Sequence, residues 1–221
     1  MKLTDYKQPS VTTDIVIFTI REDELKVLLV KRGIEPFKDK WAIPGGFAKF
    51  NESLDDAAKR ELEEETGMKD VYLEQLYTFG KVDRDPRGRV ITVSYMALVN
   101  SDKINLKAST DVKEAKWFNV KKLPSLAFDH KEILEYSLKR LKWKFEYTLV
   151  GFSLLPDKFR ISELQNIYEI VFDKKFDKRN FSKKVHSLNI LKEVGIVKDV
   201  NFRPPKLYKL KSNVSEIVNI I

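Results

Sequence analysis

Residues 45–68 read GGFAKFNESLDDAAKRELEEETGM, and few folds accommodate such a segment. Asn51 or Ser53 is placed to cap a helix start, and Gly67 suits the left-handed residue that ends one. The interior, LDDAAKRELEEE, is rich in good helix formers. At about 100° per residue, Leu54, Ala57, Ala58 and Leu62 span an arc of roughly 140° that must face a core. Glu61 and Glu65 fall inside that arc, Glu64 lies at its edge, and Asp55, Asp56, Lys59 and Glu63 point to solvent. A helix that only packed would not aim carboxylates along its apolar face, because burying an unpaired carboxylate costs several kcal/mol or shifts its pKa. A hard divalent cation with oxygen ligands is the natural partner for three such glutamates. Arg60, four residues before Glu64, can bond a carboxylate and hold it in place.

The order Gly46, Glu52, Arg60-Glu61-Leu62, Glu64-Glu65, Gly67-Met68 resembles the Nudix box at every fixed position of that motif. The resemblance implies an α+β chain whose N-terminal part is an α/β/α sandwich with a mixed sheet. It implies that Glu61, Glu64 and Glu65 bind Mg²⁺ or Mn²⁺, with Glu52 as a further ligand or a brace. Glu64, Glu61 and Arg60 then become the catalytic candidates, and Gly46 lies against the substrate. Nudix enzymes cleave a nucleoside diphosphate linked to another group, the metal polarising the diphosphate and lowering the pKa of an attacking water.

The 221 residues suffice for one large or two small domains. The apolar runs IVIFTI and VLLV are too short to span a bilayer, and MKLTDYKQ lacks the apolar core of a signal peptide. With no cysteine there is neither a disulfide nor a thiolate metal site. These features fit a cytoplasmic protein with no membrane partner. The net charge of +8 is uneven: residues 146–221 hold 14 of the 41 Lys and Arg but only 9 of the 33 Asp and Glu. A polyanion partner suits that third of the chain.

Along the N-terminal part, VTTDIVIFTI (11–20) and ELKVLLVKR (24–32) read as strands joined by a turn at Arg21-Glu22-Asp23. Trp41 and Pro44 pack beside the glycines, and Arg32 either faces a phosphate or, as is commoner for a lone arginine at a strand end, is solvated. VYLEQLYTFGKV (71–82) and RVITVSYMALV (89–99) are two more strands. The segment DRDPRG between them has the turn chemistry of a hairpin loop; alternatively, Arg84, Arg87 or Arg89 reaches the diphosphate or ribose of a substrate. FGKVDRDPRGRVITVSY resembles Nudix proteins that handle ADP-ribose. KEAKWFNV resembles the late strand of Nudix domains, with Trp117 and Phe118 in the core. HKEILEYSLKRLKWK (130–144) is a helix capped by Asp129, and His130 reads as a loop or capping residue. The Nudix domain is expected to occupy residues 1–145.

Residues 146–221 form a second expected domain. ISELQNIYEIVF (161–172) is a helix with Ser162 and Gln165 as its capping box, and Leu164, Ile167, Tyr168 and Val171 make its inner stripe. After a charged turn, DKRNFSKKVHSLNIL (177–191) is a second helix capped by Asp177. GIVKDV and KLYKLK then alternate as a hairpin joined through NFRPP. Helix, turn, basic helix and hairpin spell a winged helix-turn-helix. Lys178, Arg179 and Asn180 sit where base contacts are usual, and Lys183, Lys184, Arg203, Lys206 and Lys209 would meet phosphates. A dimerisation module with a solvated basic face is the competing reading.

The whole arrangement resembles the Nudix-related transcriptional regulators, which include repressors of NAD metabolism genes and sugar-responsive relatives. The resemblance implies a homodimer that binds double-stranded operator DNA and releases it when ADP-ribose or a related nucleotide sugar fills the Nudix domain. Because the box is intact, hydrolysis stays open. The alternatives are a Mg-dependent ADP-ribose pyrophosphatase whose C-terminal domain serves dimerisation, and an enzyme that removes damaged nucleoside triphosphates.

Overall fold

The computed structural model describes residues 7–67, 69, 71–100, 112–197, 204–212, 214, 217, 218 and 220. Ser10–Arg21 (β1) and Glu24–Arg32 (β2) are the two long strands read from the sequence. Their turn places Glu22 and Asp23 in the left-handed region, at φ 55° and 54°. Ile15 to Phe18 on β1 and Val27 to Leu29 on β2 are all fully buried. Successive strand residues face opposite ways, so such runs demand cover on both faces of the sheet.

Short strands Trp41–Ala42 (β3) and Gly45–Phe47 (β4) lead into helix Leu54–Thr66 (α1). Tyr72–Phe79 (β5), Val90–Leu98 (β6) and Val112–Asn119 (β7) complete the sheet. Its order is β3-β2-β1-β6-β5, with β4 pairing β1 and β7 pairing β2. The β1–β6 pair is parallel, from Ser10 opposite Val90 to Phe18 opposite Leu98. β4 on β1, β3 and β7 on β2, and β5 on β6 are antiparallel, so the sheet is mixed.

α1 begins at Ser53, whose hydroxyl accepts from the Asp56 N–H at 3.1 Å. It ends at Gly67, left-handed at φ 69°, whose N–H reaches the Glu63 carbonyl at 2.7 Å. Ala57, Ala58 and Leu62 are its buried apolar residues, as the 100° spacing requires. Asp55 accepts from the buried Tyr95 hydroxyl at 2.6 Å, tying the first turn to β6.

The chain forms two compact units. One contains Met1–Phe18, Lys26–Leu98 and Lys103–Ser137; the other contains Thr19–Leu25, Val99–Asp102 and Leu138–Ile221. Helix His130–Tyr147 (α2) runs three residues beyond its sequence expectation. In the second unit a 3-10 turn, Val150–Leu154, precedes helices Ile161–Phe172 (α3) and Lys178–Ser187 (α4). Strands Leu191–Ile196 (β8) and Lys206–Leu210 (β9) pair antiparallel. The core is aromatic: Tyr168 packs against Phe145 and Phe181 with centroids 5.1 and 5.6 Å apart, each pair tilted by 59°. A Cβ on Gly151 would lie 3.1 Å from Phe145 and 3.2 Å from Tyr168, so glycine allows that close packing.

Three local readings are corrected here. The cap of α3 is made by Arg160 and Glu163, not Ser162 and Gln165: the Glu163 carboxylate accepts from the Arg160 N–H at 2.6 Å. Gln165 is buried instead, donating to Glu169 at 2.8 Å and to the Phe176 carbonyl at 2.9 Å. α4 stops at Ser187, because Asn189 turns left-handed at φ 55° and Leu191 opens β8.

Candidate functional site

α1, β4 and the loops after β2 and β5 wall a cavity of about 370 Å³ in the first unit. Its lining is chemically divided. Arg60, Glu61, Glu64, Glu65, Gly45 and Gly46 give one set, and Arg32, Phe47, Arg87 and Phe128 another.

The carboxylates are arranged by Arg60. Its guanidinium donates to Glu52 through Nε at 3.1 Å and Nη2 at 2.7 Å, and to Glu61 through Nη1 at 2.7 Å. The expected partner, Glu64, stands 3.6 Å away with its side chain 49% exposed. Arg60 and the Lys49 N–H hold the Glu52 carboxyl down to about 2. Burial pushes Glu61 above the usual carboxylate range, with Arg60 opposing. Glu61 is 9% exposed and Glu65 4%, so both lie on the helix face read as core-directed.

Among the described residues, no three His, Asp or Glu side chains converge as a ready metal set. The donor chemistry nonetheless fits a hard divalent cation, because Glu61, Glu64 and Glu65 offer only oxygen from one helix face. The space is shaped for it as well. A Cβ on Gly46 would lie 2.1 Å from Glu61 Oε1, so the carboxylate occupies room that only glycine leaves. Gly45 is needed for a different reason, since its Cβ would meet the Thr13 carbonyl at 2.2 Å where β4 crosses β1.

The loop arginines divide three ways. Arg84 lines the cavity but is buried against acids: it donates to Asp129 at 2.9 and 2.8 Å and to Asp14 at 3.3 Å. Burial works against its charge, yet Asp129 and Asp14 outweigh it and its pKa is raised. Arg87 also lines the cavity, fixed by Asp85 at 3.0 and 2.7 Å. Arg89, the third candidate of that loop, is not in the lining: it donates to the carbonyls of Gly80 and Lys81 at 2.7 and 3.0 Å and so closes the hairpin loop.

Several residues at the cavity have contacts that the sequence reading did not anticipate. His130 is no loop histidine; its Nδ1 accepts the Ile43 N–H at 2.9 Å. Burial pushes its pKa down, with Asp14 and Asp129 opposing; because Nδ1 accepts, a ring proton belongs on Nε2, 3.9 Å from Asp14. Arg32 is not a solvated strand end: it donates to the Pro36 carbonyl at 2.8 Å and lies over the Phe128 ring at 4.9 Å. The Asp-Pro-Arg and Phe-Asp-His clusters were the available signal for Asp85, Phe128, Asp129 and His130.

In the second unit, α4 turns Phe181 and Val185 inward and leaves Lys178, Arg179, Asn180, Lys183 and Lys184 exposed. Asp177 caps it, accepting from the Asn180 N–H at 2.8 Å. Glu169 latches the turn between α3 and α4, accepting from Lys175 at 2.5 Å, Gln165 at 2.8 Å and the Phe176 N–H at 3.1 Å. Those contacts, Lys175 foremost, hold its pKa down to about 2. On the wing, Lys206 pairs with Glu193 at 2.7 Å and Lys209 pairs with Asp157, so both lysines have acidic partners. Arg203 lies outside the described residues.

Comparison with known proteins matches residues 11–139 to the NUDIX domain and residues 151–210 to the NrtR DNA-binding winged helix domain. The chain is 36% identical over 210 residues to the ADPR responsive transcriptional repressor NtrR of Acinetobacter baylyi, covering 93% of this chain and 84% of that protein. It is 40% identical over 139 residues to the ADP-ribose pyrophosphatase of Methanocaldococcus jannaschii, covering 63% of this chain and 77% of that protein. Among solved structures, Shewanella oneidensis NrtR in complex with a 27mer DNA superimposes with a TM-score of 0.80 at 36% identity, over 91% of this chain and 93% of that one. An intact carboxylate box on α1 and a basic-faced winged helix, both matched at family level, make this chain a member of the Nudix family that carries an NrtR-type DNA-binding winged helix domain.

Proposed function

We propose that this protein is an ADP-ribose-responsive transcriptional repressor. The winged helix binds operator DNA, and ADP-ribose in the Nudix cavity relieves that binding. The observation that carries the reading is likeness along nearly the whole chain, in both domains and in the same order, to a repressor of that kind. The exposed basic face of α4 supplies phosphate and base contacts. We place the protein in the cytoplasm as a homodimer on paired half-sites; among the described residues no helix is long and apolar enough to cross a membrane.

Fluorescence anisotropy of the protein with its own upstream DNA tests this. Tight binding at low salt that ADP-ribose reverses is the expected result. DNA binding that ADP-ribose leaves untouched overturns the ligand assignment.

Hydrolysis is a second reading, favoured by the completeness of the box from Gly46 to Gly67. A divalent cation held by Glu61, Glu64 and Glu65 would supply Lewis acidity toward the diphosphate and lower the pKa of an attacking water. The chain's own part is to gather charge. Arg60 keeps Glu52 and Glu61 oriented, Gly46 leaves space beside Glu61, and the half-exposed Glu64 stands 3.6 Å from Arg60 at the mouth of the same carboxylate set. If ADP-ribose is cleaved, Glu64→Gln removes most turnover while anisotropy with DNA is preserved.

A further inference from the structure

The hairpin that joins β1 to β2 has side chains where glycine would be easiest. Glu22 and Asp23 are its two turn residues, and both stand in the left-handed region, at φ 55° and 54°. A two-residue turn of that shape is made most readily by Asn-Gly or Asp-Gly, since glycine enters the region without strain. Here the second place is held by Asp23. Its carboxylate accepts a hydrogen bond from Asn166 Nδ2 of α3 at 2.9 Å, across 143 residues of chain.

The tip is built into the second unit, which takes in Thr19–Leu25. Thr19 is buried and donates its hydroxyl to the Val99 carbonyl at 2.8 Å, and Leu25 is buried too. Ile20 and Asn100 line a cavity of about 500 Å³ together with Leu154, Pro156, Asn166 and Ile167.

β1 itself runs without a break from the first unit into the second. Thr12 and Asp14, in its first half, line the cavity that bears the α1 carboxylates, and Asp14 holds Arg84. From Asp14 to Arg21 the strand advances about 23 Å, at about 3.3 Å per residue. Between them Ile15 to Phe18 are fully buried and paired in register with β6, and β2 pairs along the other edge. A strand so packed does not bend locally, because a close-packed interior transmits strain rather than absorbing it. Beyond Asn166, Gln165 and Ile167 are buried in the second unit. Gln165 donates to the Phe176 carbonyl, in the turn that leads to α4. A shift of β1 thus reaches α3 through Asp23 and Asn166, and reaches the basic helix through the turn. Coupling is carried by contiguous packed elements of this kind.

We propose that the Asp23–Asn166 hydrogen bond is the contact through which occupancy of the α1 cavity reaches the DNA-binding helices. Asp23 and Asn166 are then positioning residues for ligand-driven release of DNA. This rests on the reading of the chain as an ADP-ribose-responsive repressor and assigns that response a route.

The test uses the full chain. Anisotropy gives operator affinity with and without saturating ADP-ribose, and isothermal titration gives ADP-ribose affinity with and without operator. Linkage requires the two ratios to be equal, and in the wild type they fall in the range of about 5- to 150-fold. In Asp23→Ala and in Asn166→Ala the ratio drops about 2- to 10-fold, the worth of one side-chain hydrogen bond, while each ligand's affinity in the absence of the other stays within about twofold of wild type. The double variant drops no further than either single one, because both remove the same contact. Asp23→Asn keeps an acceptor oxygen and retains the wild-type ratio. An unchanged ratio in both alanine variants refutes the coupling contact and leaves the repressor reading standing. So does a loss of operator affinity in the ligand-free variants, since the bond would then hold the fold rather than transmit. A wild-type ratio of one removes the repressor reading, and the coupling contact with it.

Discussion

Replacing Arg84 by methionine removes the only guanidinium that joins Asp14 on β1 to Asp129 at the start of α2 among the described residues. The Arg84 side chain is 3% exposed, and those of Asp14 and Asp129 are 10% and 12% exposed. Methionine fills much of the volume but strands two carboxylates in a poorly hydrated wall. Breaking a buried pair by removing one partner costs about 3–5 kcal/mol, mostly the penalty of the charge left behind. With a urea dependence of about 2 kcal/mol per molar, the midpoint falls by about 2 M. The assay is equilibrium urea unfolding followed by tryptophan fluorescence, since Trp41 and Trp117 lie in the same unit. The decisive comparison is the triple variant Asp14→Asn, Arg84→Met, Asp129→Asn. It should recover more than half of the loss, because its polar groups carry no charge. A midpoint change in Arg84→Met below about 0.5 M, equivalent to about 1 kcal/mol, would refute the reasoning. So would a triple variant no better than the single one.

Three further outcomes follow from other parts of the molecule. Arg179→Ala with Lys183→Ala should weaken operator binding and make the slope of log affinity against log salt shallower by about 2, near 0.9 per lost phosphate contact; an unchanged slope removes α4 from the interface. Tyr168→Phe should raise stability by about 1 kcal/mol, because the Tyr168 hydroxyl is buried with no hydrogen-bond partner; a loss of that size would reveal a partner. Glu169, held at about 2 against an ordinary 4.5, contributes stability that is complete above pH 4.5 and fades as pH falls toward 2. Thermal midpoints of wild type and Glu169→Gln should therefore converge over that interval, and parallel curves would exclude the latch.

The parts of the site that were legible in sequence are those whose interactions are local. Ser53, Gly67 and the buried face of α1 are set within one helix, where spacing alone fixes direction. The cavity contacts that escaped are set by distant pairings. Arg84 finds Asp14 across 70 residues and Asp129 across 45, and His130 finds Ile43 across 87. No periodicity encodes such partners. The three loop arginines could not be told apart for the converse reason: they look alike as letters, while backbone carbonyls of Gly80 and Lys81 claim Arg89. The end of α4 was hidden because SLNIL continues an apolar helical pattern. The turn rests on Asn189, one of the few residue types that enters the left-handed region readily.

The latch between α3 and α4 has a consequence for how such a protein diversifies. Glu169, Gln165 and the Phe176 backbone hold the turn, and Phe181 and Val185 hold α4 to its core. None of these groups is on the exposed basic face. Exchanges at Arg179, Asn180 or Lys183 therefore touch nothing that maintains the fold and should shift stability by less than about 0.5 kcal/mol. The exposed face of α4 can therefore be rewritten one residue at a time on a frame that does not register the edits.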